Sequence, residues 1–236
     1  EGLERFEGHL LNWYDTSTLA PMPPAYLSTV DSGNLAGALI TLSSGLRMRA
    51  ADPSDVAPTA DRGRRLEELA ARAAAFADGM NFGFLYNRQR RLFSIGYRLA
   101  DGDGPGRFDA SFYDLLASEA RLASFVAIAK GDVPEMHWFH LGRLITGIHG
   151  APVLLSWSAT LFEYLMPLLV MRSYPDTLLD ESCRMVVRRQ REYATSRGTP
   201  WGISESAYTA VDRNGNYQYK AFGVPGLGLK RGLGDE

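Results

Sequence analysis

The amino-acid sequence predicts a mainly α-helical fold with one small β-hairpin. Apolar residues recur at helical spacing along much of the chain, most clearly in the charged segment that begins at Asp61. Two short aromatic and aliphatic runs, 82–86 and 92–97, flank the polar turn Asn87–Arg91, as a β-hairpin requires. Hydrophobic residues make up 45% of the 236 positions, which is enough for one sizeable core.

The first half of the chain is expected to hold three helices. Helical spacing of apolar residues predicts the first over residues 3–13, and three prolines then mark 15–26 as a loop. Either Asp31 or Ser32 is expected to cap the second helix, because short polar side chains satisfy the free backbone amides at a helix start. The third is the amphipathic helix that begins at Asp61.

Three further helices are predicted in the second half, over residues 111–129, about 153–171 and about 178–196. Gly198 is a stop signal for the last of them, because glycine readily adopts the left-handed conformation that ends many helices. From residue 199 onward the sequence is rich in glycine and predicts a loop.

Composition and charge argue against several classes of protein. A formal net charge of −2 argues against nucleic-acid binding, because domains that bind phosphate backbones carry a basic excess. No window approaches the ~18 consecutive apolar residues of a transmembrane helix. His137 and His140 lack a metalloenzyme motif and the glycine-rich end lacks Walker spacing, so neither a metal nor a cofactor is expected. Cys183 is the only cysteine, which rules out an intramolecular disulfide.

Glu119 occupies an unusual position on the predicted helix 111–129. At 100° per residue it falls near the middle of the apolar stripe, whereas Asp114 and Arg121 fall on another side. A carboxylate that faces a core or cavity must be paired, protonated or functional, because burying it bare is very costly. An ion pair with an arginine of a neighbouring helix is one interpretation. The other is a glycosidase acid, whose pKa is raised by desolvation.

The second unusual glutamate is Glu205, in a segment with Trp201 at one end and Tyr208 at the other. Aromatic rings beside carboxylates are typical of sugar subsites, where the rings pack against the C–H face of a pyranose. The alternative is an ordinary loop whose aromatic residues cover the core.

Two further carboxylates are weaker candidates. Glu163 lies within an apolar run, and Asp15 follows Trp13 and Tyr14. Carboxylates in such positions are more often satisfied structural groups than catalytic ones.

At these residues the sequence closely resembles the middle, glycoamylase-like domain of cyclic β-1,2-glucan synthases. The similar stretches are long and run nearly from end to end. They are RFEGHLLNWYDT (5–16), YLSTVDSGNLAGALITL (26–42), YDLLASEARLASFVAIAKGDVP (113–134), LFEYLMPLLVMRSYP (161–175), PWGISESAY (200–208) and NYQYKAFGVPGLGLKRGL (216–233).

The resemblance implies an (α/α)6 toroid that acts as a retaining transglycosylase. Such an enzyme cyclises a linear β-1,2-glucan that a separate glycosyltransferase domain makes. Carried over by motif, Glu119 of DLLASEAR and Glu205 of WGISES are the expected catalytic pair. We expect Glu205 to attack the anomeric carbon while Glu119 protonates the departing oxygen, directly or through a substrate hydroxyl.

A β-1,2-glucan chain is therefore the expected partner. The rings expected to stack against its sugars are Trp13, Tyr14, Trp201 and Tyr208. Asp114 is expected to support Glu119 or to cap its helix. The expected substrate-binding residues are Trp13, Tyr14, Asp15, Asp114, Glu163, Trp201 and Tyr208.

Two other functions stay open. The endo-β-1,2-glucanases look like more distant relatives, and a hydrolase would use the same carboxylates but admit water. A non-catalytic glucan-binding domain would keep the aromatic residues yet tolerate loss of both glutamates.

The toroid of the family needs about twice as many helices as the sequence predicts. Residues 1–236 are therefore expected to form one domain that is the N-terminal portion of a larger catalytic domain, with the rest after Glu236. The resemblance also implies a membrane protein with this domain on the cytoplasmic side of a bacterial inner membrane. Its partners would include the glycosyltransferase and phosphorylase-like domains of the same polypeptide.

Overall fold

Helix is the prevailing regular structure in the computed structural model, which describes residues 2–52, 60–102, 104–204, 206–213, 215, 217–220 and 223–229. Helices account for 43% of the residues and strands for 18%, so the expectation of a mainly α chain is confirmed. The helices are α1 (Thr29–Ala50), α2 (Ala60–Asp78), α3 (Phe82–Leu85), α4 (Arg121–Lys130), α5 (Met136–His140), α6 (Leu161–Leu165) and α7 (Leu178–Arg197), with a 3-10 turn at Met166–Leu169. The strands are β1 (Arg5–Phe6), β2 (His9–Leu10), β3 (Tyr26–Ser28), β4 (Tyr86–Asn87), β5 (Leu92–Ser94), β6 (Gly96–Arg98), β7 (Arg107–Phe108), β8 (Phe112–Tyr113), β9 (Ile145–Ile148), β10 (Ala151–Leu154), β11 (Ser206–Val211) and β12 (Tyr217–Lys220).

The chain divides into two compact units that alternate along the sequence. Unit 1 consists of Glu1–Tyr113 and Leu122–His140, and unit 2 consists of Asp114–Arg121 and Leu141–Glu236. The short segment Asp114–Arg121 therefore belongs with the second half of the chain, although unit 1 precedes and follows it in sequence.

Unit 1 is built on α1 and α2, which pack along each other. α1 starts earlier than predicted, because the Ser28 hydroxyl accepts a hydrogen bond from the N–H of Asp31 at 3.2 Å. The cap is therefore Ser28, and the expectation of Asp31 or Ser32 is wrong. Farther along α1, the hydroxyl of Ser43 donates to the carbonyl of Ala70 in α2 at 2.8 Å and ties the two helices together.

The predicted helix over residues 3–13 is wrong, because this region forms a hairpin of β1 and β2. Arg5 pairs with Leu10 across the hairpin. Glu7 and Gly8 both have positive φ values, 51° and 80°, as the two central residues of a tight hairpin turn require. A glycine at the second position supplies that conformation without strain.

The predicted hairpin around Asn87–Arg91 is confirmed in part. β4 and β5 pair antiparallel, with Tyr86 opposite Phe93, and β8 adds a third strand next to β5. The run before the turn is not a strand throughout, because its first residues form α3. The side chain of Asn81 caps that helical turn by accepting a hydrogen bond from Phe84 N–H at 3.3 Å.

Two predicted helices are confirmed close to their expected bounds. The helix expected from Asp61 is α2, and the helix expected over 178–196 is α7. Thr177 caps α7 by accepting from the N–H of Asp180, and Gly198 ends it in the left-handed conformation, with φ 64°.

The predicted helix over about 153–171 is wrong for most of its length. In unit 2, β9 pairs with β10, and α7 packs on β10. Helix α6 follows, and its regular hydrogen bonding ends near Pro167, which has no backbone N–H to donate. β11 and β12 also pair antiparallel, so the loop predicted after residue 199 is wrong for those residues.

The predicted helix over 111–129 is only half correct. Phe112 and Tyr113 form β8, residues 114–120 are irregular, and α4 begins at Arg121. Glu119 therefore precedes the helix and does not lie on its apolar stripe. Throughout the described ranges, no helix is both long and apolar enough to cross a membrane.

Candidate active site

The segment Asp114–Arg121, which carries the first candidate glutamate, is held firmly although it has no regular structure. The N–H of Leu116 donates to the carbonyl of Gly142 at 3.0 Å, and the N–H of Gly142 donates to the carbonyl of Asp114 at 2.7 Å. Leu115 and Leu116 are buried. Backbone pairing and apolar burial thus fix the segment within unit 2.

Glu119 is half-buried and lies directly before α4. The hydroxyl of Ser118 donates to Glu119 Oε2 at 3.2 Å and accepts from the N–H of Ala120 at 3.1 Å. The carboxylate is therefore oriented by its neighbour while part of its surface stays accessible. A general acid needs both properties, because it must keep a defined position and reach the substrate.

Arg121 connects this segment to α6 from a fully buried position, with 1% of its surface exposed. Its guanidinium donates to the carbonyl of Ser118 at 2.9 Å and to that of Glu163 at 2.6 Å, and also to the carbonyl of Tyr164. Burial lowers the pKa of Arg121, and Cys183, Glu119 and Tyr164 oppose that shift. A charge buried this deeply needs such partners, because an uncompensated one is strongly destabilising.

The carboxylate of Glu163 is saturated with donors. It is 3% exposed and accepts from the hydroxyl of Ser156 at 3.0 Å and the N–H of Trp157 at 3.0 Å. It also accepts from the N–H of Ser158 at 3.1 Å and from the N–H and hydroxyl of Thr160 at 3.0 and 3.2 Å. With Thr160 it forms the capping box of α6. This arrangement is that of a structural carboxylate, the alternative that the sequence left open.

Asp114 bonds to a tryptophan that the sequence did not single out. The indole Nε1–H of Trp157 donates to Asp114 Oδ1 at 3.0 Å. Asp114 does not cap α4, which begins seven positions later (121 − 114). The signal that could have identified Trp157 is an indole between two serines, which the predicted helix over 153–171 concealed.

The residues that lead to Glu205 are anchored to α6 and α7. The amide side chain of Gln190 in α7 forms two hydrogen bonds to the backbone of Ile203, at 2.7 and 2.9 Å. The N–H of Phe162 in α6 donates to the hydroxyl of Ser204 at 3.1 Å. Trp201 is exposed. Glu205 itself lies outside the described residues.

Helix α6 is thus a common anchor in unit 2. Arg121 binds the carbonyls of Glu163 and Tyr164, and Ser204 binds the N–H of Phe162. The segment that carries Glu119 and the segment that ends just before Glu205 therefore both attach within one turn of α6. Tyr208 lies in β11, where the structure describes only the backbone.

Trp13 and Tyr14 belong to unit 1. Trp13 is exposed and borders a cleft of about 400 Å3 within that unit. The hydroxyl of Tyr14 donates to the carbonyl of Glu4 and accepts from the N–H of Leu11, each at 2.7 Å. Both hydrogen bonds of Tyr14 thus serve the local backbone, whereas the indole of Trp13 faces solvent.

Asp15, also in unit 1, holds a turn. Its Oδ1 accepts from the N–H and hydroxyl of Thr18 at 2.7 and 2.9 Å and from the N–H of Ser17 at 2.9 Å. These hydrogen bonds, with those from Thr18 the strongest, hold the pKa of Asp15 below its usual value. The carboxylate of Asp15 therefore stabilises the turn that follows Tyr14.

His137, one of the histidines that the sequence discounted as metal ligands, has a structural role. His137 is buried, and its ring nitrogens bond to Ser124 Oγ at 2.8 Å and to the carbonyl of Arg91 at 2.9 Å. Among the residues described by the structure, no group of three His, Cys, Asp or Glu could hold a metal ion.

The chain is similar to known carbohydrate-active proteins in sequence and in structure. The Glycoamylase family model, described as "Putative glucoamylase", matches residues 111–233. The cyclic β-(1,2)-glucan synthase NdvB of Rhizobium meliloti (strain 1021) is 36% identical over 344 aligned residues, which cover 98% of this chain and 12% of NdvB.

The solved structures of an endo-β-1,2-glucanase from Talaromyces funiculosus share the fold. Its complex with sophorose superposes with a TM-score of 0.73 and 13% identity, covering 95% of this chain and 48% of the glucanase. A glutamate-to-glutamine variant of that enzyme, in complex with β-1,2-glucan, gives a TM-score of 0.70. The chain spans less than half the length of the glucanase and a smaller share of NdvB.

The resemblance to the glycoamylase-like domain of cyclic β-1,2-glucan synthases is confirmed by these similarities. The family model covers more than half of the chain, including Glu119 and Glu205. The chain belongs to the Glycoamylase family.

Proposed function

We propose that the chain is part of a retaining transglycosylase that converts linear β-1,2-glucan into cyclic β-1,2-glucan. The observation that carries the proposal is the shared attachment to α6. The segment of Glu119 and the residues that lead to Glu205 bind backbone groups of Phe162, Glu163 and Tyr164. The proposed substrate is supported by NdvB, a cyclic β-(1,2)-glucan synthase, and by the glucanase complexes with sophorose and β-1,2-glucan.

The reaction would proceed in two balanced steps. In the first, the carboxylate of Glu205 forms a bond to an anomeric carbon within the chain, and the bond from that carbon to the departing oxygen breaks. Glu119 gives its proton to that oxygen, directly or through a substrate hydroxyl. In the second, a hydroxyl of the same chain displaces Glu205, returns its proton to Glu119 and closes the ring.

The separation of the two carboxyl groups bears on this mechanism. Retaining enzymes of direct geometry hold them about 5–5.5 Å apart, and inverting enzymes about 6.5–9.5 Å apart. A substrate hydroxyl that relays the proton would lengthen the distance. Glu119 and Glu205 are 86 positions apart in sequence (205 − 119), so only the fold can bring them together.

The wider architecture is part of the same proposal. We propose that residues 1–236 form the N-terminal portion of an (α/α)6 catalytic domain in a larger polypeptide. The glycosyltransferase and phosphorylase-like domains of that polypeptide would be its partners, on the cytoplasmic side of a bacterial inner membrane. The 12% share of NdvB and the 48% share of the glucanase support a chain that is one part of a longer protein.

A hydrolase is the second candidate, and the fold shared with an endo-β-1,2-glucanase favours it. In that reaction, water takes the place of the attacking hydroxyl and the products stay linear. A domain that only binds the glucan is a third alternative, and it would keep its function without either glutamate.

The test incubates the full-length protein with linear β-1,2-glucan and identifies the products by mass. We expect products lighter than the corresponding linear chains by one water, formed by the wild type and absent from Glu119→Gln and Glu205→Gln. Glu135→Gln is the matched control, because Glu135 is exposed in unit 1. Linear fragments alone would identify a hydrolase, and unchanged glucan with a folded wild type would identify a binding domain.

A further inference from the structure

Trp157 is an exposed indole that is fixed at two points within unit 2. The residue remains 44% exposed, although its neighbours Ser156 and Ser158 are buried. The backbone N–H of Trp157 donates to Glu163 Oε1 at 3.0 Å, and its indole N–H donates to Asp114 Oδ1 at 3.0 Å. Two carboxylates therefore set both the backbone position and the ring orientation.

Exposure alone would not indicate a binding site, because single apolar side chains are common on protein surfaces. Trp157 differs from such side chains in the hydrogen bonds that hold it. Its backbone belongs to the five-donor network around Glu163, and Ser156 is also held by Leu227 and Leu229 through backbone bonds at 3.1 and 2.9 Å. The ring is thus presented by a rigid frame, and a rigid frame limits the conformational entropy lost on binding.

The chemistry of the ring indicates what it binds. Because Asp114 takes the indole N–H, the exposed surface offers its π face and C–H edges and no free hydrogen-bond donor. The π face is electron-rich and attracts the polarised C–H groups on the apolar face of a pyranose. A planar aromatic surface of this kind suits a glucosyl ring.

The position of Trp157 links it to the candidate glutamate. Its partner Asp114 belongs to the same segment as Glu119, five positions earlier (119 − 114). Gly142 pairs with the backbone of that segment and Arg121 ties its end to α6. Trp157 and Glu119 are therefore attached to one rigid stretch of unit 2.

We propose that Trp157 stacks against a glucosyl ring of the bound β-1,2-glucan, and that Asp114 and Glu163 are positioning residues that hold the indole for this contact. The inference rests on the proposed function, because the sugar is the substrate of that reaction. It also changes the roles expected for Asp114 and Glu163, which act on the sugar through Trp157 instead of touching it.

Steady-state kinetics of the full-length protein on linear β-1,2-glucan test the stacking contact. We expect Trp157→Ala to raise KM roughly tenfold and to change kcat by less than about threefold, since the contact contributes mainly to binding. Trp157→Phe keeps an aromatic ring, so its KM should lie between the KM of the wild type and that of Trp157→Ala. Phe125→Ala removes an exposed aromatic ring of unit 1 and is the control, with KM expected to stay at the wild-type value.

A double-variant cycle tests whether Asp114 acts through Trp157. Trp157→Phe removes the indole N–H, so adding Asp114→Ala should leave KM unchanged beyond the effect of Trp157→Phe. If Asp114 contacted the sugar directly, the two effects on KM would instead multiply. Asp114→Asn keeps an acceptor oxygen and should stay near the wild-type KM.

A measurement on the wild type keeps the inference testable if the alanine variant does not fold. Linear β-1,2-glucan should slow the oxidation of Trp157 by N-bromosuccinimide, followed by peptide mass, with Trp138 of unit 1 as internal reference. An unchanged oxidation rate at glucan concentrations that saturate turnover would overturn the stacking contact. A wild type that neither turns over nor binds the glucan would instead refute the proposed function.

Discussion

The carboxylates of unit 2 differ in how deeply they are buried. Glu163 is buried and accepts from five donors, whereas Asp114 holds an exposed indole and Glu119 is half-buried beside Ser118. A buried carboxylate whose acceptor sites are all filled contributes to folding. A half-buried carboxylate keeps part of its surface exposed to solvent. This contrast separates Glu163 from Glu119 in a way that the sequence alone did not.

Replacing Glu163 by glutamine should destabilise the protein by about 2–4 kcal/mol. The amide would turn an NH2 group toward the backbone N–H groups of Trp157, Ser158 and Thr160, so donors would face donors in a buried site. Urea unfolding of Glu163→Gln beside Glu135→Gln measures the difference. A Glu163→Gln variant as stable as the control, yet inactive, would show that Glu163 acts in the chemistry.

At the scale of elements, helices with strong periodicity and good end signals were predictable. Helix α7 has Thr177 at its start and Gly198 at its end, and α2 has a continuous apolar face. These features are local, so the sequence contains them. The two glutamate motifs could also be singled out from the sequence, because they match motifs of the family that the chain resembles.

The segments around the candidate site were not predictable, because long-range contacts decide their conformation. Residues 114–120 have helical periodicity, yet pairing with Gly142 and the buried guanidinium of Arg121 hold them in an irregular loop. Trp157 was hidden in a predicted helix that Glu163 disrupts by binding the backbone of the preceding turn. Such partners are distant in sequence or act through side chains, and hydrophobic spacing does not report them.

The close approach of α1 and α4 in unit 1 gives a prediction at this scale. A side chain at Gly33 would overlap Ala123, with the Cα of Ala123 only 2.6 Å from the added Cβ. Gly33→Ala should therefore destabilise unit 1 by about 1–3 kcal/mol, because the helices must separate. Urea unfolding measures the loss.

Gly45 on the same helix provides the matched control for Gly33. Nothing lies within 4 Å of a Cβ added there, so Gly45→Ala should stabilise the protein by about 0.5–1 kcal/mol through helix propensity. Equal effects at the two positions would contradict the close packing of α1 on α4.

At the scale of the whole molecule, stability should depend on pH below neutrality. Burial lowers the pKa of both His9 and His137 in unit 1. The unfolded chain, with histidine pKa values of about 6.5, therefore binds protons that the folded chain excludes. This contribution to stability is fully present above pH of about 6.5 and is lost as the pH falls below that value.

Thermal unfolding followed from about pH 7 to about pH 5 should show this loss as a falling Tm. His9→Leu should flatten the pH dependence, because one of the two titrating rings is gone and leucine still packs beside Phe82. Gly45→Ala changes no titrating group and is the control, with the pH dependence of the wild type expected. An equal slope in the wild type and His9→Leu would show that His9 does not contribute.

We propose that Glu119 and Glu205 act as a catalytic pair, because the segment of Glu119 and the residues that lead to Glu205 share an anchor on α6. Chemical rescue with azide in the full-length protein tests that claim most directly. With Glu205→Ala, azide should take the place of the nucleophile and give an α-glucosyl azide from linear β-1,2-glucan. With Glu119→Ala, the substrate is a 2,4-dinitrophenyl β-glycoside of the glucan, whose leaving group needs no proton. Glu205 should then form the glycosyl–enzyme intermediate, and azide should attack it and give a β-glucosyl azide. Products of the reverse configurations would exchange the two roles, and folded variants that form no glucosyl azide would contradict a retaining mechanism at these residues.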